Sequence, residues 1–127
     1  MGIVIGIDVG ISTTKIVGIV EQGKVLSPIR IKATDPVTSL YGAFGKFLYV
    51  NKIQLQDIEK VMLTGVGSAY INEPIYNLPT EKAEEFIADG LGARYETKLD
   101  RMIVVSMGTG TSIVKCDGED IKHIGGI

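Results

Sequence analysis

Gly6-Ile7-Asp8-Val9-Gly10-Ile11-Ser12-Thr13-Thr14-Lys15 is the stretch on which the reading of this chain turns. It follows a short apolar run, residues 3–7, rich in β-branched side chains, which predicts a strand buried on both faces in the middle of a sheet. That strand carries a carboxylate, Asp8, to its end, and the chain then turns through Gly10-Ile11-Ser12-Thr13. Lys15 to Val20 resumes a strand pattern, and Glu21-Gln22-Gly23-Lys24 is short enough to reverse it into a third strand near Val25 to Ala33. The expected unit is a three-stranded antiparallel meander. A carboxylate so placed can hold a magnesium ion directly or through water. Turn N–H groups and the hydroxyls of Ser12 and Thr13 can face phosphate oxygens, and Lys15 adds positive charge. The same residues are also ordinary hairpin chemistry, so this stretch alone leaves both readings open.

Further along, Asp35-Pro36 is a helix start, with Asp as the N-cap and Pro at the first helical position. Val37, Leu40, Tyr41, Phe44, Phe47 and Leu48 follow at helical spacing and predict one inward face. Val61-Met62-Leu63 reads as the next strand, ending in Thr64-Gly65-Val66-Gly67, and a loop rich in Asn and Pro leads to a second helix from about Glu81 to Tyr95 with Phe86, Ile87 and Leu91 inward. Met102 to Val105 reads as a buried strand that breaks into Gly108-Thr109-Gly110-Thr111, another strand runs from Ser112 to Cys116, and Asp117-Gly118 marks a hairpin turn. Gly108-Thr109-Gly110-Thr111 repeats the logic of the first loop: glycines admit an anion to the backbone and threonines supply donors. Alone it is a weak motif. Paired with the first loop, it suggests a clamp on one polyphosphate. The order of elements predicts an α/β fold, a mixed sheet covered by helices.

Composition narrows the class of ligand. The chain has 127 residues, 45% of them hydrophobic and 22% charged, with a net charge of -2, which fits a soluble globular protein. No Lys/Arg cluster offers the footprint that nucleic acid needs, so a small-molecule partner is expected and nucleic acid is not. The N-terminal apolar run is too short to span a bilayer and has no basic segment before it, so no membrane partner is expected. Cys116 is the single cysteine; it allows no intrachain disulfide and no cysteine cage for a metal, in keeping with a reducing cytoplasm. Its expected state is a buried, inert thiol.

Several stretches, in order along the chain, resemble one family. These are Gly6-Ile7-Asp8, Leu63-Thr64-Gly65, Glu84-Glu85-Phe86 before Gly90-Leu91-Gly92, Met107-Gly108-Thr109-Gly110-Thr111-Ser112, and Asp117-Gly118 before His123-Ile124-Gly125-Gly126. They are similar to the type II (eukaryotic-like) pantothenate kinases, within the acetate kinase, sugar kinase and actin superfamily. The resemblance implies an actin-like ATPase (ribonuclease H-like) fold, with residues 1–106 as a first domain and 107–127 as the beginning of a second. It implies ATP-dependent phosphorylation of pantothenate, the first step of coenzyme A synthesis, with ATP and Mg2+ as cofactors. Asp8, Gly10, Ser12, Thr13 and Lys15, with Gly108, Thr109, Gly110 and Thr111, match the nucleotide-binding residues, and Asp8 matches the metal ligand. Glu85 matches the catalytic base, with Glu84 as its competitor, although carboxylates in a first helical turn also simply complement the dipole. Gly65, His123, Gly125 and Gly126 fall on the pantothenate side, and a cytoplasmic homodimer is implied for the full-length protein.

The chain departs from the family in two places. The family's first loop has two adjacent glycines and a threonine, where this chain has Gly10-Ile11-Ser12, and Ile11 would be strained if the position needs a positive φ. The family continues beyond the match to Gly125-Gly126, which suggests a fragment of a longer protein ahead of a truncated gene product or a first subunit completed by another chain; each implies little turnover by itself and an apolar face where the missing portion docks. Ile7-Asp8-Val9-Gly10 with Thr13-Thr14-Lys15 also resembles the ATP-hydrolysing activators of 2-hydroxyacyl-CoA dehydratases, which need cluster-ligating cysteines where this chain has Cys116 alone. A sugar kinase and a non-catalytic regulatory or dimerising module of the same fold are the other readings.

Overall fold

The computed structural model describes residues 2–127, which form two compact units, one reaching to Lys82 and the other from Ala83 to Ile127. The division lies ahead of the 106/107 position at which the family resemblance sets a domain boundary.

In the first unit, β1 (Ile3–Val9), β2 (Thr13–Ile19) and β3 (Ile29–Lys32) form the expected antiparallel meander. Helix α1 (Pro36–Asn51) crosses to β4 (Ile58–Thr64), which pairs parallel to β1, and β5 (Thr80–Lys82) adds parallel to β4. The sheet order is β3-β2-β1-β4-β5, so β1 is central as expected. Ile3, Ile5, Ile7 and Val9 of β1, with Ile16, Val61 and Leu63, form one sheet face packed on Leu40, Ala43, Phe44 and Phe47 of α1. The expectation that β1 is buried on both faces is corrected: Val4, Gly6 and Asp8 alternate with the buried row and are only half-buried, because α1 covers one face.

Local chemistry sets the helix start. Asp35 has an extended backbone and its carboxylate accepts from the Thr38 N–H at 2.8 Å and from the Thr38 hydroxyl at 2.6 Å. These bonds, the hydroxyl's first, hold the Asp35 carboxyl below its ordinary value of 3.8. The inward position in this first turn belongs to Ser39, which is buried and accepts from the Thr34 N–H at 2.8 Å; Val37, expected inward, is exposed. The third strand is shorter than expected. Pro28 offers no N–H, and the Ser27 N–H donates to the Asn51 side chain at 3.0 Å, which leaves only an isolated bridge between Ile19 and Val25 before Ile29. Glu81 and Lys82, expected to begin a helix, instead continue from Thr80 as a strand paired with Val61-Met62-Leu63, and Glu81 forms an ion pair with Lys60 of β4. A ready-made strand edge outweighs the helix propensity of Glu and Lys, which is favourable but small per residue.

In the second unit, α2 (Glu85–Thr97) packs on an antiparallel sheet of β6 (Arg101–Met107), β7 (Thr111–Asp117) and β8 (Asp120–Gly126), in the order β6-β7-β8. Gly90 is the buried contact of α2, and a Cβ there would lie 2.8 Å from Ile121 Cγ2 and 3.1 Å from Cys116 Sγ. Because the helix approaches the sheet through this glycine, Leu91 is turned outward and 50% exposed, against the expectation that it faces in, while Phe86 and Ile87 are half-buried. Cys116 is buried, as expected. The expected burial of residues 102–105 is also corrected. β6 alternates, with Ile103, Val105 and Met107 exposed, because α2 covers a single face. The hairpin at Asp117-Gly118 is present, with Gly118 at φ 61° between the paired Asp117 and Asp120.

Candidate functional site

Two groups of site residues result, one in each unit. In the first, β1 and β4 run parallel and side by side, so the turns after both open at the same end of the sheet, the carboxyl end at which α/β sheets place ligands. Asp8 lies near the end of β1, with Lys15 of β2 and Thr64 of β4 as its register neighbours on one face. Lys15 Nζ is 4.0 Å from Asp8 Oδ2, with the carboxylate one-third exposed. Arg30 of β3 is in register with Lys15 and adds a second cation to that face. The row thus carries two cations and one carboxylate, which leaves it receptive to a polyanion.

The β1–β2 turn is closed by the Gly10 N–H donating to the Thr13 carbonyl at 3.0 Å, and it is tied to the end of β3 by the Ala33 N–H donating to the Ser12 carbonyl at 2.9 Å. Ile11 projects into solvent, 66% exposed, and is absent from the positive-φ residues. The position does not take a positive φ, so the condition for strain at Ile11 is not met. Ser12 is exposed and Thr13 half-buried, both at the loop, whereas Thr14 faces the α1 side, fully buried among apolar residues.

Gly65 sits where the expected acceptor-side role would not by itself have led one to look. Its φ of 92° and ψ of 159° belong to a region that only glycine adopts readily. A Cβ there would lie 2.5 Å from Asp8 Oδ1 and 2.5 Å from the Val9 carbonyl oxygen. Gly67 is equally close, its Cβ position lying 2.6 Å from Val9 Cγ1. Thr64-Gly65-Val66-Gly67 is thus the floor on which the end of β1 and its carboxylate rest.

Among the described residues no three His, Cys, Asp or Glu side chains gather in the manner of a protein-built metal cage. A single partly exposed carboxylate suits Mg2+ nonetheless, because that ion is commonly held by one or two carboxylates and completes its octahedron with water and phosphate oxygens.

In the second unit, the Gly108 N–H donates to the Gly110 carbonyl at 2.8 Å, which closes the turn between β6 and β7. Thr111 and Ile127 exchange two backbone hydrogen bonds, at 3.1 and 2.9 Å, so Gly125-Gly126 runs beside Thr111-Ser112. His123 is on β8, exposed, with its ring centroid 6.1 Å from that of Phe86. Glu84 is the N-cap residue of α2, without a side-chain capping bond, and Glu85 is in the first turn; both are exposed. The structure therefore brings Asp8, Gly10, Ser12, Thr13, Lys15 and Gly65 together in one unit. It brings the Gly108–Thr111 loop to Gly125 and Gly126, and the start of α2 to His123, in the other. Sequence reasoning missed Arg30 and Thr64 as members of the first group, since only strand register places them beside Lys15 and Asp8.

Comparison with known proteins accords with this geometry. No family model matches the chain. Type II pantothenate kinases of Staphylococcus aureus, among them those of strains USA300 and NCTC 8325, are 32% identical over 128 aligned residues, which is 97% of this chain and 43% of theirs. The chain resembles type II pantothenate kinases. It spans less than half the length of these relatives. Among solved structures, the activator of 2-hydroxyisocaproyl-CoA dehydratase from Clostridium difficile, with bound ADPNP, aligns with a TM-score of 0.80 at 16% identity, covering 96% of this chain and 45% of that one. Component A of (R)-2-hydroxyglutaryl-CoA dehydratase from Acidaminococcus fermentans gives 0.81 at 12% identity over 98% of this chain and 48% of that one. A ROK family glucokinase from Streptomyces griseus, in complex with glucose and AMPPNP, gives 0.67 at 16% identity over 95% and 46%. These likenesses show the fold, which is that of the actin-like ATPases. No helix among the described residues is long and apolar enough to cross a membrane.

Proposed function

We propose that this chain contributes the phosphate-binding and acceptor-activating residues of an ATP-dependent pantothenate kinase. The observation that carries the reading is the 32% identity to type II pantothenate kinases along nearly the whole chain. Local geometry supports it, with the Asp8 carboxylate at the mouth of two parallel strands beside a cationic row. In this reading residues 1–106 supply the first domain and 107–127 begin the second, in a cytoplasmic protein that works as a homodimer.

Asp8 holds Mg2+ directly or through water. Bound there, the ion would neutralise phosphate charge and orient the γ-phosphoryl group. Gly10, Ser12, Thr13 and Lys15 bind phosphate oxygens through backbone N–H groups, hydroxyls and the ammonium, and Gly108, Thr109, Gly110 and Thr111 do the same from the second loop. Glu85, or Glu84 beside it, takes the proton from the primary alcohol of pantothenate as its oxygen attacks the γ-phosphorus and the bond to ADP breaks. Gly65, His123, Gly125 and Gly126 shape the acceptor side, Gly65 also by making room for Asp8.

The test is ATP-dependent phosphorylation of pantothenate by the protein that carries this chain, beside its Glu85→Ala variant. A kinase gives phosphopantothenate and ADP in equal amounts, and the variant loses roughly 10²–10⁴-fold in rate. ATP hydrolysis indifferent to pantothenate would refute the reading. The dehydratase-activator reading is favoured by the higher TM-scores, 0.80 and 0.81 against 0.67 for the glucokinase, but these are likenesses of fold at 16% identity or less. A brown, anaerobically purified protein with an iron–sulfur spectrum would turn the conclusion that way.

A further inference from the structure

The hydroxyl of Thr64 is buried out of contact with solvent and has no hydrogen-bond partner. An enclosed, unpaired hydroxyl is destabilising, and native structures usually keep one for a reason. Thr64 is the last residue of β4, in register with Asp8, and register partners on parallel strands project from the same sheet face. Asp8 Oδ1 rests over Gly65, the residue that follows Thr64. The cation nearest to Asp8 is Lys15, at 4.0 Å, beyond hydrogen-bond reach. A lone carboxylate and an unused donor therefore stand side by side.

We propose that Thr64 is the positioning residue for the Asp8 carboxylate, donating its hydroxyl hydrogen to Asp8 when that carboxylate turns to hold a divalent cation. This rests on the nucleotide-binding reading above. Being shut off from solvent, the hydroxyl cannot itself meet an ion or phosphate arriving from solution, so it acts through Asp8. Carboxylates that ligate metals are commonly fixed by such a second donor, and its removal weakens the site. Thr14 is the contrasting case. Its hydroxyl is also buried and unpaired, but Val9 is its register partner, on the face that packs against α1. It has a structural cost with no carboxylate to serve.

The experiment titrates the protein that carries this chain with Mn2+, with and without ATP, following free Mn2+ by electron paramagnetic resonance. The native protein is compared with Thr64→Val, Thr64→Ser and Asp8→Asn. Thr64→Val should bind Mn2+ about tenfold or more weakly, while Thr64→Ser, which keeps the hydroxyl, stays close to native. In the absence of metal, Thr64→Val should melt no lower than the native protein, since it removes an unpaired polar group, and this separates lost binding from unfolding. Native-like Mn2+ binding by Thr64→Val, or a Thr64→Ser variant as weak as Thr64→Val, would overturn the proposal. Equal binding by native and Asp8→Asn proteins would overturn it too, by removing Asp8 from the site. If the native protein binds neither Mn2+ nor ATP, the nucleotide reading itself fails and the proposal falls with it.

Discussion

Replacing Gly65 by alanine adds one methyl group, and the structure predicts a cost far above that of an ordinary surface change. Two terms contribute. An L side chain at φ 92° and ψ 159° is strained, at about 1–3 kcal/mol. The new Cβ would also meet Asp8 Oδ1 and the Val9 carbonyl oxygen, both at 2.5 Å, and relieving that contact means parting the ends of β1 and β4, an overpacking cost of about 1–3 kcal/mol. The expected loss is therefore roughly 2–6 kcal/mol, against a total stability of roughly 4–12 kcal/mol for a unit of this size. At an m-value of about 2 kcal/mol/M the variant's urea midpoint should fall by roughly 1–3 M. Tyrosine fluorescence is the probe of choice, since Tyr41, Tyr49, Tyr70 and Tyr76 all lie in the first unit. Gly45→Ala is the internal control. It makes the same chemical change within α1, where a Cβ meets nothing within 4 Å, and it should stabilise by about 0.5–1 kcal/mol. Opposite signs from one methyl group are the signature. A Gly65→Ala variant within about 0.5 kcal/mol of the native chain would refute the claim that this glycine makes room for the carboxylate.

Other consequences are simpler to state. Phe47 is fully buried between α1 and the sheet, so Phe47→Ala should cost about 3–5 kcal/mol in equilibrium unfolding. A Cβ at Gly18 would lie 2.8 Å from Phe47 Cζ, so Gly18→Ala should destabilise the native chain and be relieved in a Phe47→Leu background, with a coupling of about 1–2 kcal/mol in a double-mutant cycle. The Asp35 carboxyl is held below its ordinary value of 3.8 by the Thr38 hydroxyl and N–H. Its contribution is thus fully present above that value and is lost as pH falls through the lower folded one. The gap in melting temperature between native and Asp35→Ala chains should be open at pH 6 and close in acid.

Much of this was legible in the residues because local rules sufficed. Asp35-Pro36 announced a helix that begins there, and Glu21-Gln22-Gly23-Lys24 announced a reversal that occurs, with Gly23 at φ 87°. Both signals lie within a few residues of the structure they specify. The misreadings share the opposite property. Thr80-Glu81-Lys82 is strand because β4 offers an edge, Leu91 is outward because Gly90 lets α2 approach the sheet, and β1 is half-covered because one helix lies over it. None of these depends on the residues' own preferences. The site divides in the same way: Asp8 and its turn were readable as a motif, whereas Thr64 and Arg30 enter only through strand register.

The same division bears on function. A carboxylate at the end of β1, a tight turn and a cationic row serve any enzyme that grips a polyphosphate, so they cannot distinguish a kinase from an ATP-driven activator. What distinguishes them lies on the acceptor side. A kinase needs a base near its alcohol, and this chain offers Glu84 and Glu85, exposed at the start of α2 with Phe86 against His123. An activator needs thiolates that can reach a cluster, and Cys116 is buried against Gly90 inside the second unit. Freeing it would mean pulling α2 from the sheet. Alkylation follows from this: Cys116 should resist a thiol reagent in the native chain and react in urea, whereas rapid native-state labelling would refute its burial beneath α2.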